Sequence, residues 1–283
     1  MNTNSYKTLQ KPPHQFSQED FFAGVHWHQK WEIYQGVFTP GINSIDILCT
    51  FVNLPEDLSG KRVLDIGAWN GCFSFECERR GASEVVAYSL EDPNESGFNK
   101  LKKVLNSKVS YVQDSVYSLS PDILGKFDII LFFGVLYHLR YPLLAIDRIR
   151  TVSKGTVFIE THVVNNHFFV RQPFKIVGRL LQLSSVFKST PIWRQYKAYE
   201  LHPQDTSNWF GPNIMAVIES FDSAGFDAVH IESWGDRASF RAEIRNELPD
   251  RLISGSYEGV YSSNDYLTGI PHYKTDLFKD ESQ

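Results

Sequence analysis

The residues best placed to do chemistry in this 283-residue chain lie in one stretch, VLDIGAWNGCFSF, from Val63 to Phe75. An apolar strand runs into Asp65, the chain turns at Gly67, and a helix opens at Gly71, with Trp69 between the two glycines. Gly67 permits a tight turn where a Cβ would clash, and Gly71 lets the helix begin close to a ligand. A dinucleotide loop needs the spacing G-x-G-x-x-G so that successive N–H groups wrap a pyrophosphate. Here the spacing is G-x-x-x-G, with an acid two residues ahead of it, which sets a dehydrogenase aside. Asp65 would repel a pyrophosphate but would hold a cationic amino group. That combination favours S-adenosylmethionine (SAM), which has a cationic amino-acid tail and no phosphate.

Three further segments bear groups suited to such a ligand. GASEVVAY leads into a second strand, at whose end an acid should meet ribose hydroxyls. Ser89 stands in that position and the acids follow as Glu91 and Asp92, so one of these two is expected to take the ribose. VQDSVYSL puts Asp114 and the N–H of Ser115 just after a third strand, where an adenine edge can be read. FDIILFFGVLYHLRYPLL gives a fourth strand, Gly134, and then Tyr137 and His138 at the mouth of the site. A histidine with its ordinary pKa of about 6.5 can deprotonate a hydroxyl near neutrality. A tyrosine can face a cationic sulfur with its ring.

The elements that must position these groups alternate regularly. Strands are expected at Arg62–Ile66, Glu84–Ser89, Lys108–Val112, Phe127–Phe133 and Thr156–Glu160, separated by helices at Gly71–Arg80, Asn94–Leu105 and Pro142–Thr151. After an interruption, a helix at Ile214–Ser223 precedes strands at Asp227–Ser233 and Ala238–Ala242, which are expected to pair with each other. Alternation of this kind implies βαβ units and a mostly parallel sheet covered on both faces. Right-handed crossovers then bring every parallel strand's C-terminal end to one edge, where ligands of such sheets bind.

These residues resemble the class I SAM-dependent methyltransferases. The loop DIGAWNG followed by ERRGA is similar to a variant with Trp in its middle position. GVLYHLRYPL (Gly134–Leu143), NWFGPN (Asn208–Asn213) and the AGF turn (Ala224–Phe226) also match. The nearest subgroup includes the bacterial tRNA wobble-uridine carboxymethyltransferases and many small-molecule methyltransferases. The resemblance covers about residues 25–245. It implies an α/β, Rossmann-like fold with a mostly parallel seven-stranded sheet and helices on both faces. The domain would span 59–245, with an N-terminal extension or lid at 1–58, an insertion after the fifth strand at about 163–212 covering the acceptor, and a tail at 246–283. SAM would be the cofactor and S-adenosylhomocysteine (SAH) the product. The implied cofactor contacts are Asp65, Gly67, Ala68, Trp69, Gly71, Ser89, Glu91, Asp92, Asp114, Ser115 and Gly134. Tyr137 and His138 would stand at the reacting centre. The implied chemistry is an SN2 transfer, which requires mainly positioning and in some cases a base.

Other residues bear on the acceptor. HWHQKW (His26–Trp31) suits an aromatic lid, with Lys30 or Trp31 facing inward, better than a metal site, because no third ligand is near. His162 or His167, leaving the fifth strand, would contact substrate. Trp209 and Phe210 beside a Gly-Pro turn would floor the acceptor pocket or join the core. Arg237 and Arg241 fall where the carboxymethyltransferases place an arginine on the cofactor's carboxylate. Phe169–Glu200 holds six basic residues against one acid, which fits a substrate lid, a contact with RNA or a carrier protein, or a solvated helix.

Composition narrows the choice. A net charge of −5 and 42% hydrophobic residues favour an enclosed pocket over a nucleic-acid track. Cys49, Cys72 and Cys77 lack metal or disulfide spacing and read as reduced thiols of a cytoplasmic protein. Neither an apolar leader nor an 18-residue apolar span is present, so no membrane partner is expected. The expected acceptor is a small-molecule hydroxyl. A tRNA-modifying methyl- or carboxymethyltransferase is the first alternative, and a SAM-binding module without catalysis, suggested by Ser89, is the second.

Overall fold

In the computed structural model the described residues are 9–164 and 189–247. The strand Arg62–Ile66 (β1) shows how the sequence builds the sheet. Its pleat sends Val63 into one apolar layer and Leu64 and Ile66 into the other, and all three are buried. Glu84–Ser89 (β2), Ser110–Gln113 (β3), Phe127–Phe133 (β4) and Ser153–His162 (β5) follow as parallel strands. Phe226–Trp234 (β6) and Arg237–Ile244 (β7) form an antiparallel hairpin, with β7 also antiparallel to β5. The seven strands run in the order β6-β7-β5-β4-β1-β2-β3. The order reverses at β1, and the crevice between the C-terminal ends of β1 and β4 is the ligand edge of such a sheet.

Among the described residues the helices are Gln18–Phe22 (α1), Ile45–Phe51 (α2), Cys72–Arg79 (α3), Phe98–Leu105 (α4), Pro121–Leu124 (α5), Pro142–Val152 (α6) and Ile214–Ser223 (α7). Helices α3 and α4 share one face of the sheet with the N-terminal extension, and α6 and α7 cover the other. The second helix is shorter than its sequence pattern. Asp92 accepts a hydrogen bond from the Asn94 N–H (2.7 Å) and Gly97 caps the helix in the left-handed region, so residues 92–97 form turns. The fifth strand is longer, because β7 pairs with it from Thr156 to His162.

The N-terminal extension is more than a cover. Trp31, Ile33, Ile45, Cys49 and Phe51 are buried in the α3 face, and the Ser239 hydroxyl of β7 donates to the Phe51 carbonyl (2.6 Å). In the insertion, Trp193–Gln195 pairs antiparallel with Phe210–Pro212. Asn213 caps α7 by accepting from the Ala216 N–H (2.8 Å) and also accepts from Ile192 N–H, which fixes the insertion to the helix start. The expected basic helix around 176–183, His167 and most of the tail lie outside the described residues. Among the described residues no helix is long and apolar enough to cross a membrane.

Two glycines at the ligand edge differ in what they accommodate. A Cβ on Gly71 (φ +81) would fall well inside 3.0 Å of the Phe98 ring, whereas one on Gly134 (φ +70) would meet nothing within 4 Å. Gly71→Ala should therefore cost roughly 2–5 kcal/mol, from backbone strain plus overpacking. Gly134→Ala should cost roughly 1–2 kcal/mol, from the backbone alone. Urea unfolding of the two variants measures the difference.

Candidate functional site

The pleat of β1 turns Asp65 toward α3, where it is 3% exposed and accepts the Ser74 hydroxyl (2.6 Å). Burial, partly offset by that bond, pushes its carboxyl up to about 6. The loop that follows spends its amides inside the protein. Gly67 and Ala68 donate to the Tyr88 carbonyl (2.8 and 3.4 Å), Trp69 to the Ser89 hydroxyl (3.4 Å), and Gly71 to Ala68 (2.7 Å). No cradle of N–H groups remains for a phosphate, while a buried acid and an exposed Gly67 remain for a cation. These donors fit SAM and not a dinucleotide. Gly71 has a packing duty as well: its missing side chain makes room for Phe98. At Gly67 a side chain would collide with Val135, which brings the turn after β4 against the loop.

At the end of β2 the Ser89 hydroxyl is bonded to the Glu91 carboxylate, whereas Asp92 is used in its local turn. Of the two acids, Glu91 is the one returned to the strand end. After β3, Asp114 donates its N–H to the Ser89 carbonyl (3.0 Å) and accepts from the Ser115 N–H (2.6 Å). The Tyr88 hydroxyl donates to the Ser115 carbonyl (3.0 Å), so the ends of β2 and β3 are tied together.

Trp69, in the left-handed region at φ +50, turns toward the N-terminal extension. Its indole N–H donates to the His26 carbonyl (3.2 Å), as does the buried Asn70 amide (3.1 Å), and its ring lies 4.8 Å from that of His28. Trp69 is thus a clamp holding residues 26–28 over the loop. Burial and His26 lower the His28 pKa, and Glu91 opposes them. The expected inward-facing lid residues are misplaced: Lys30 lies exposed over Phe38. Trp31 is buried beneath Arg79, with its N–H on Glu76 (2.9 Å), and is no substrate contact. The two histidines take that place, and the signal for it was a large aromatic in a loop that elsewhere takes small residues.

β4 ends at Phe133, and after Gly134 a tight turn carries Tyr137 and His138. His138 Nδ1 lies 2.7 Å from the Ser207 hydroxyl, which itself donates to Asp205 (2.5 Å). With its proton given to Asp205, Ser207 accepts from Nδ1–H, so the neutral ring carries its lone pair on Nε2. Burial lowers the His138 pKa, against the pull of Asp205. Arg237 holds Glu160 through two bonds (2.5 and 2.6 Å) and lies 4.9 Å over the Tyr137 ring. Burial works against its charge, but Glu160 outweighs burial and keeps it protonated.

Two expected acceptor contacts lie elsewhere. His162 is buried with one ring nitrogen on Asp236 (3.1 Å) and the other on the Tyr196 hydroxyl (2.8 Å), so it anchors the insertion and does not meet substrate. Phe210 packs edge-on against Trp193 inside the insertion. Trp209 stands at the mouth, 37% exposed, with its backbone N–H on the Tyr137 carbonyl (2.8 Å).

A folded-state pKa near 6 for Asp65, against about 3.9 unfolded, means that the fold favours the protonated acid. This contribution to stability is complete below about pH 4 and is lost as pH rises through about 6. Ligand-free Asp65→Asn should therefore be more stable than the parent by roughly 2–3 kcal/mol at pH 7.5. The gap should close at pH 4, as read by urea unfolding at both values.

A methyltransferase-domain family model matches residues 46–231. The tRNA U34 carboxymethyltransferase of Campylobacter hominis is 35% identical over 184 residues, 59% of this chain and 64% of that protein. The protein of the same name from Dichelobacter nodosus is 35% identical over 221 residues, 76% of this chain and 58% of its own length. The chain thus spans less than two thirds of either relative. Among solved structures, the N-terminal domain of EvdMO1, crystallised with SAH and D-fucose, superposes with a TM-score of 0.55 at 16% identity, over 81% of this chain and 94% of that one. An O-methyltransferase family protein from Burkholderia thailandensis gives 0.52 at 11% identity, over 71% and 56%. These two share the fold. Since the family model covers more than half of the 283 residues, the chain belongs to the methyltransferase-domain family.

Proposed function

We propose that this methyltransferase takes SAM along the C-terminal ends of β1, β2 and β3 and alkylates a hydroxyl on a tRNA uridine. SAM supplies an electrophilic methyl group on a cationic sulfur, and a carboxylated form of SAM would supply a carboxymethyl group. Asp65 holds the ammonium of the amino-acid tail, Glu91 accepts from the ribose hydroxyls, and Asp114 and Ser115 face the adenine. The Tyr137 ring, fixed by Arg237 and Glu160, walls the reacting centre, and Arg237 beside it offers a cation to a carboxylate. His138 takes the acceptor's proton on Nε2, and Asp205, acting through Ser207, stabilises the imidazolium that forms.

The observation that carries this reading is the His138–Ser207–Asp205 chain beside Tyr137, which supplies a base and leaves a purely ligand-binding role without a reason for it. The tRNA acceptor is supported by the relatives' names and the extent of their identity. A small-molecule hydroxyl is the second reading, favoured by the net charge of −5. Labelled SAM and, in parallel, labelled carboxylated SAM, each with purified bulk tRNA and separately with a small-metabolite extract, decide between them. Label in tRNA, weakened by added salt, supports the first reading, and label confined to the extract overturns it. Mass analysis of the product separates methyl from carboxymethyl.

Calorimetric titration with SAM tests the cofactor assignment. Binding should be lost in Asp65→Ala. It should weaken as pH falls below about 6, by up to about tenfold per unit, because the protonated acid cannot pair with the ammonium. Binding unchanged between pH 7.5 and 5 would remove Asp65 from this role.

A further inference from the structure

Ser207, Asn208 and Trp209 are three consecutive residues with three different duties. Ser207 touches the candidate base His138, and Trp209 exposes its ring at the mouth. Asn208 between them is 3% exposed. Its amide nitrogen donates to the Asp205 carbonyl (3.4 Å), which fixes the amide's orientation, and its carbonyl Oδ1 has no partner among the described residues. A buried, unpaired carbonyl is costly, so the working protein is expected to bring it a donor. The backbone here is rigid. Trp209 N–H bonds the Tyr137 carbonyl (2.8 Å), and the Trp209 carbonyl accepts from Tyr196 N–H (2.9 Å), so the segment is pinned between the turn after β4 and the insertion strand.

Arg140, two residues after His138, completes the surroundings. Its guanidinium lies 4.8 Å from the Trp209 ring and 5.9 Å from the Tyr141 ring, and Tyr141 is 6.0 Å from Tyr117 in an edge-on pair. Arg140, Tyr141 and Trp209 are all exposed, and exposed aromatic and guanidinium planes of this kind stack flat π-systems such as unpaired bases. We propose that Asn208, Trp209 and Arg140 form the acceptor-base subsite: the ring of an unstacked uracil lies on the Trp209–Arg140 platform and its N3–H donates to the Asn208 carbonyl. This rests on the tRNA reading and deepens it. An N–H donor beside a flat ring is what an imide base carries and an aliphatic hydroxyl compound lacks.

The test uses fluorescence-polarisation binding of a labelled RNA hairpin with one uridine in its loop, in the presence of SAH. A second hairpin carries 3-methyluridine at that position and so lacks the donor. The parent protein should prefer the uridine hairpin by about tenfold, and Asn208→Ala should bind both alike. Trp209→Ala and Arg140→Ala should weaken both hairpins by roughly tenfold or more, with SAH affinity unchanged as the check on folding. A parent that binds the hairpins equally, or an Asn208→Ala that keeps the preference, overturns the proposal while leaving the tRNA reading standing. Failure of the parent to bind either hairpin or tRNA overturns both.

Discussion

The ligand edge depends on the close passage of the chain from β1 into α3 through left-handed backbone. Gly67, Trp69 and Gly71 all have positive φ, so a short connection turns sharply enough to leave Asp65 buried behind it. Space is the constraint. Val135 occupies the place of a Gly67 side chain and Phe98 that of a Gly71 side chain, so the turn after β4 and the start of α4 close on the loop from both sides. The turn that carries Tyr137 and His138 and the strand end that carries Ser89 and Glu91 therefore meet the same loop that buries Asp65.

Electrostatics divides this edge in two. On the cofactor side stand carboxyl groups: Asp65, which burial pushes up to about 6, and Glu91, bonded to Ser89. Beside Tyr137 and His138, Arg237 is paired with Glu160, and Asp205 is linked through Ser207 to the neutral His138 ring. A cationic ligand such as SAM is favoured by the first half. Because the loop's amides are satisfied within the protein, the site discriminates by charge and not by phosphate recognition.

Two segments outside the alternating core complete the site. The N-terminal extension is fixed by its own apolar residues against α3, and by Trp69 and Asn70 against the loop, which brings His26 and His28 over the cofactor side. The insertion is anchored by Asn213 at the start of α7 and by the Asp236–His162–Tyr196 chain at the end of β5. That anchoring delivers Asp205 and Ser207 to His138. Residues at opposite ends of the chain thus meet above the same strand ends.

The amino-acid sequence alone determined the sheet, its mostly parallel sense, and the location of Asp65, Tyr137 and His138 at its C-terminal edge. These follow from the local alternation of apolar runs, glycines and helix patterns, which acts over a few residues at a time. Only the tertiary structure decided which of Glu91 and Asp92 reaches the strand end, because that depends on the turn Asp92 makes with Asn94. It also decided that Trp31 and His162 are core residues, since Glu76 and Arg79 in one case, and Asp236 and Tyr196 in the other, approach from distant segments. Trp69 shows the limit most clearly. Its presence in the loop was plain, but its partner at residues 26–28 lies some forty positions away. A contact at such a separation is set by how whole layers pack, and no local pattern of residues encodes it.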